Sequence, residues 1–165
     1  NSSAFSNFAM DDAGYVYDSR GDGVRKIDSR TGEVVQKWFY KKIRNTYDSI
    51  ITPDGRYWAG APGGRNLVGL LDTKTGQLTE VETGTDISAG SRGGFDPDKN
   101  GEVWAGGLQS GRFMRFNPKT EKWTVYLMPE PYAHDRRTWI DNSTDPVTVW
   151  YVDHQGYMVR IQPLE

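Results

Sequence analysis

Apolar and polar residues alternate along most of this chain in runs of four to seven, each closed by a turn signal. A period of two sends successive side chains to opposite faces of an extended strand, so the pattern predicts short, half-buried β-strands. No segment keeps the 3.6-residue spacing of an amphipathic helix over ten or more residues. Asp54-Gly55, Asn100-Gly101 and Gln155-Gly156 are turn dipeptides in which glycine supplies a positive φ at little cost. Asp-x-x-Thr-Gly at 28–32 and again at 72–76 predicts a second class of hairpin, closed by its glycine.

These strands recur. The aromatic ending a shared Gly-x-x-aromatic piece falls at Tyr17, Trp58, Trp104 and Trp150, in steps of 41, 46 and 46 residues. A second landmark, Asp28, Asp72, Asn117 and Gln162, steps by 44, 45 and 45. Two landmarks holding nearly one period define a repeat of about 45 residues, each unit with room for three or four strands. The fold expected is all-β: a β-propeller of about four four-stranded blades at 3–40, 47–82, 91–127 and 136–165, within a single propeller region 1–165. The innermost strands are expected near 5–10, 47–52, 91–96 and 136–141. The last blade has no residues left for its outer strand, so an incomplete or fragmentary propeller is expected, with a closed four-bladed ring as the alternative.

Composition agrees with short strands and tight turns. Aromatic residues make up 13% of the chain and glycine numbers 19, while hydrophobic content is only 36%. Large rings fill the wedges between neighbouring blades, which assigns Trp58, Trp104 and Trp150 to packing. A net charge of −2 gives no electrostatic support for a nucleic-acid partner. No run approaches the roughly 18 apolar residues of a membrane span, and the absence of cysteine removes disulfides, thiolate zinc sites and cysteine nucleophiles.

The string Gly101-Glu102-Val103-Trp104-Ala105-Gly106, followed by Gly111-Arg112-Phe113-Met114-Arg115-Phe116-Asn117-Pro118, resembles blades of the streptogramin B lyase (virginiamycin B lyase) family. Residues 55–61 with 68–72, and 149–153 with 158–161, are similar. The resemblance covers most of the chain and lies in scaffold motifs, which related propellers with NHL-type repeats share. It implies a seven-bladed propeller, a lyase that opens a cyclic depsipeptide by elimination, and a divalent metal, usually magnesium, held near histidines and a glutamate. This chain has only His134 and His154, and the family's motif glutamate is replaced by Ala61, Gly107 and Asp153.

Candidate chemistry concentrates where propeller ligands usually sit, at one end of the innermost strands. Asn7, Asp48, Arg92 and Arg137 fall at roughly equivalent places there, as a binding ring or as solvated loop residues. Tyr47 beside Asp48 reads equally as a ligand phenol or a core ring. The densest polar stretch is 130–139. Arg136 and Arg137 offer forked donors to an anion, Tyr132 and Trp139 offer stacking faces, and His134 beside Asp135 has the chemistry of a base. The same residues also suit an Arg–Asp network pinning a loop. Asp153 and His154 echo an acid–base pair, but neighbours on an extended strand point apart, and Asp-His-Gln-Gly reads first as a turn. The Asp-rich segment 96–101 reads as turn chemistry ahead of a calcium loop.

Three functions follow. The first is a non-catalytic propeller module binding a small anionic or polar ligand, or a protein partner, at the channel face. The second is a metal-dependent C–O lyase of the resembled family, using His134, Asp153 and His154. The third is an assembly propeller completed by another chain through strand sharing. A periplasmic or secreted location is the expectation.

Overall fold

In a computed structural model of the chain, residues 8–44, 46, 49–60, 67–83, 95–106, 111–128, 135–153 and 156–164 are described. They form fifteen strands in four antiparallel sheets with sequential neighbours throughout. The first sheet holds β1 (Phe8–Met10), β2 (Tyr15–Arg20), β3 (Gly23–Asp28) and β4 (Val34–Phe39). The second holds β5 (Ser49–Ile51), β6 (Arg56–Gly60), β7 (Leu67–Asp72) and β8 (Leu78–Glu82). The third holds β9 (Phe95–Pro97), β10 (Val103–Gly106), β11 (Arg112–Asn117) and β12 (Lys122–Leu127). The fourth has three strands, β13 (Asp135–Asp141), β14 (Thr148–Asp153) and β15 (Met158–Ile161). The chain divides into two compact units, Asn1–Pro62 with Leu67–Glu82, and Gly63–Asn66 with Thr83–Glu165.

Both expected classes of turn are present. Gly14, Gly55, Gly101 and Gly156 take positive φ between the first and second, or second and third, strands of their sheets. In the second class a side-chain oxygen caps the turn: Asp28 Oδ1 accepts Arg30 N, Asp72 Oδ1 accepts Lys74 N and Thr75 N, and Asn117 Oδ1 accepts Lys119 N and Thr120 N. An oxygen two or three residues ahead of free N–H groups is the Asx-turn geometry that Asp and Asn supply. Bonds from the Arg30 side chain and backbone hold the Asp28 carboxyl down to about 2. Gln162, the fourth landmark, instead donates to Pro146 O.

Packing follows the alternation. In the first unit, Tyr17 and Val24 of the first sheet meet Tyr57, Ala59, Leu67 and Leu71 of the second, with Tyr40 and Ile43 completing the cluster. Tyr17 lies 5.9 Å from Tyr57 between ring centroids. Hydroxyl groups are admitted because they satisfy one another: Ser19 Oγ lies 2.5 Å from Thr46 Oγ1 and 3.3 Å from Tyr40 Oη. In the second unit, Trp104 and Phe113 of the third sheet meet Ile140, Val147 and Val149 of the fourth, and Phe113 stacks on Tyr151 at 6.2 Å. Full burial of one such side chain is worth roughly 1.5–3 kcal/mol, so each seam contributes substantially to the stability of its unit.

The described strands follow the sequence pattern closely in the second and third positions of each sheet and in the fourth position of the first three. Of the innermost strands, β13 covers the whole of its expected span, and β1, β5 and β9 give the described parts of theirs, residues 5–7, 47–48 and 91–94 lying outside the described residues.

Candidate functional site

The fourth sheet carries the described part of the candidate chemistry. Its register pairs Thr138 with Tyr151, Trp139 with Trp150, Ile140 with Val149 and Asp141 with Thr148, then Trp150 with Arg160 and Val152 with Met158. Directly opposed residues share a face. Thr138, Ile140, Val149 and Tyr151 therefore lie on one face, and Ile140 and Val149 join the core with the third sheet. Thr138 donates its hydroxyl proton to Asp96 Oδ2 on the same side. Trp139, Trp150, Val152 and Met158 lie on the opposite face.

That second face is uncovered. Trp139 is 65% exposed and Met158 71%. With Thr138, Trp150, Tyr151 and Val152 they line an open depression of about 610 Å³, within the usual range of ligand pockets but broad and apolar. Trp150 departs here from its expected role. Trp58 and Trp104 are fully buried, whereas Trp150 is half-buried and lines the depression. Among the sequence candidates only Trp139 forms part of it. Val152 and Met158 were not singled out in the sequence, although Met158 stands at the lattice point of Val24 and Phe113.

The register also brings together two candidates chosen for different reasons. Asp135 and Asp153 are direct partners at one end of the β13–β14 pair, followed by an irregularity between Asp135 and Thr138. Arg136 and Arg137 occupy that irregular stretch of β13. Asn7, Tyr47, Asp48, Arg92, Tyr132, His134 and His154 lie outside the described residues. Ala9, Ile50, Asp96 and Trp139 all pair with the landmark aromatics. Asn7, Asp48 and Arg137 stand two residues before those anchors, and Arg92 stands four before Asp96.

Among the described residues no group of three or more His, Asp or Glu is placed to hold a metal ion. The two histidines that the resemblance would place near a magnesium ion, His134 and His154, lie outside the described residues. Nor is any described helix long and apolar enough to cross a membrane. The titratable groups with large upward displacement are structural: burial pushes the Tyr40 phenol up to about 12 and raises Tyr57 further.

No protein-family model matches the chain, and no curated protein matches it. Solved structures do. Virginiamycin B lyase from Staphylococcus aureus is similar at TM-score 0.70 and 15% identity, over 97% of this chain and 56% of that one. A chain of the mitotic checkpoint complex is similar at TM-score 0.73 and 10% identity, over 100% and 51%. An auxiliary nutrient binding protein from Bacteroides thetaiotaomicron gives 0.61 at 15% identity, over 95% and 38%. The chain thus spans a little over half the length of the lyase. At such identities the likeness shows a shared all-β fold, and an enzyme, an assembly component and a binding protein all carry it, so fold alone selects no activity.

Proposed function

We propose that this chain is a non-catalytic module of β-propeller type that works by docking a protein partner on the uncovered face of the fourth sheet. The observation that carries this reading is the apolar cluster of Trp139, Trp150, Val152 and Met158 on one sheet face. A contiguous apolar patch rimmed by polar residues marks an interaction surface, and tryptophan and methionine are the types enriched at interface cores. In sequence, the charged residues Asp135, Arg136 and Arg137 precede Trp139 on the same strand.

The test uses anilinonaphthalene sulfonate as an apolar probe in dilute solution. Native chain should bind the dye, and Met158→Asp combined with Trp139→Ser should lose most of the signal with an unchanged far-ultraviolet spectrum. Equal dye binding by the variant would overturn the assignment of the surface. The non-catalytic part has its own arm, since the lyase alternative assigns acid–base work to His134, Asp153 and His154. Quinupristin, with which a catalytically inactive form of the S. aureus lyase was crystallised, should be recovered intact after incubation with the chain and Mg²⁺. A ring-opened product that disappears in His154→Ala would replace the binding reading with the lyase one.

A further inference from the structure

The four sheets repeat one lattice, and this allows buried and uncovered copies of the same positions to be compared. In the first sheet the landmark Tyr17 pairs with Lys26 and Ser19 pairs with Val24. In the third, Trp104 pairs with Arg115 and Gly106 with Phe113. In the fourth, Trp150 pairs with Arg160 and Val152 with Met158. All three quartets set an aromatic opposite a cation, which in the covered sheets stands over the ring: Lys26 Nζ is 5.6 Å from the Tyr17 centroid and Arg115 Cζ 5.4 Å from that of Trp104. Tyr17, Ser19 and Val24 are fully buried, as are Trp104 and Phe113. Met158 and Val152 are 71% and 56% exposed. The fourth sheet thus presents the face that, in the first and third, is filled by a following sheet.

The complementary face is also uncovered on this chain. Phe8 shares its lattice point with Ser49, Phe95 and Thr138, all buried. Phe8 itself is 55% exposed, and Met10, equivalent to the buried Ile140, is 62% exposed. Phe39 lies on the same side through its pairing with Gly23 and is also exposed. Among the described residues, one chain therefore holds both halves of a single repeated interface, each exposed.

Resting on the docking surface proposed above, we infer that its occupant is a second copy of this chain, which places the Phe8/Met10/Phe39 face of its first sheet on the Trp139/Trp150/Val152/Met158 face of the fourth. The first-sheet half sets Phe8, Met10 and Phe39 around the Asp18–Arg25 ion pair and Lys37, which share their face, and the fourth-sheet half sets Arg160 opposite Trp150. The contact joins two different patches, so it is heterologous, and each copy offers one patch of each kind.

Sedimentation across a concentration series tests this with the chain as it stands. The expected mass rises above the 18.6 kDa of one chain as concentration increases, with dye binding falling in parallel. Met158→Asp alters one half and Met10→Asp the other, and each should weaken self-association roughly 100-fold, since an unpaired carboxylate is forced into the seam. Mixing the two folded variants leaves one intact pair of faces per couple and should restore a dimer. Two outcomes overturn the inference. One is a wild-type chain that stays monomeric at every concentration. The other is a Met10→Asp variant that associates as wild type does, which makes the contact isologous or puts it elsewhere. If dye binding survives in a strictly monomeric chain, the docking surface stands and only its occupant is wrong. If both fail, the docking surface fails too.

Discussion

The indole N–H of Trp104 donates to Asp98 Oδ2 at 2.9 Å inside the third sheet, while Asp98 Oδ1 accepts Asn100 N at 2.8 Å and Glu102 N at 3.0 Å. One buried carboxylate thus shapes the first turn of the repeat and satisfies the landmark tryptophan six residues on. Asp11 stands at the same offset from Tyr17 and accepts Ala13 N and Tyr15 N. Asp98→Ala strips the acceptor from a buried donor and from two turn amides, and should cost roughly 2–3 kcal/mol. Urea unfolding of Asp98→Ala, Trp104→Phe and the double variant checks it. The pair must show a coupling of about 1 kcal/mol, and strict additivity would remove the bond from the account.

In the third sheet the closing position of the second turn is not glycine. Gly32 and Gly76 take φ of +74° and +75° there, and Glu121 takes +56°. Left-handed backbone brings Cβ against the carbonyl at a cost near 1 kcal/mol, which glycine avoids. Glu121→Gly should therefore raise stability by about 0.5–1 kcal/mol, against the usual direction of glycine substitution. A lower denaturation midpoint in the variant would show that the Glu121 side chain contributes more than its backbone costs.

How far the sequence reached can be judged at particular residues. The strands bearing Tyr17, Trp104, Leu71 and Phe116 were legible because four to six alternating positions between Gly or Asn turns leave one choice of face. The innermost strands were harder, since the three described residues Phe95–Pro97 carry too little alternation to fix a register. Trp150 was assigned to packing by equivalence with Trp104. Equivalence gives the position within a sheet, whereas burial depends on what lies against it, which a repeat pattern does not contain. The Asp98–Trp104 bond was legible in principle as a polar residue six before each landmark, and Asp11 and Thr52 share that offset. The pairing of Asp135 with Asp153 required the register itself.

Close approach between the sheets of the first unit depends on Gly69. A Cβ there would lie 2.4 to 2.7 Å from Cε1, Oη and Cζ of Tyr40. The Tyr40 ring is buried, with Oη near Ser19 Oγ, so it has little room to withdraw. Gly69→Ala should destabilise by roughly 1–3 kcal/mol through overpacking. Replacing Tyr40 with leucine removes the obstructing end of the ring, and in that background the alanine should cost far less. Thermal melts of the four chains settle the matter: an equal penalty in both backgrounds would mean that the strand itself, not the ring, resents the side chain.

The same tyrosine sets an upper pH limit for the first unit. Burial raises the Tyr40 phenol from 10.0 to about 12, partly opposed by its bond with Ser19, and Tyr57 is raised for the same reason. A group whose folded value lies above its unfolded one stabilises fully below the unfolded value, and that contribution is lost as pH rises through the folded value. The unfolded chain releases these protons near pH 10, while the folded chain keeps them, so stability should fall between about pH 10 and 12. Two pH units of displacement correspond to roughly 2–3 kcal/mol for Tyr40. Phenolate absorbance followed against pH should show the exposed tyrosines titrating first, and the buried pair appearing together with loss of the β-sheet spectrum. Tyr40→Phe removes one titrating group and should flatten the decline in this window, measured as the pH dependence of the urea midpoint. A decline as steep as that of the native chain would assign alkaline unfolding to other groups.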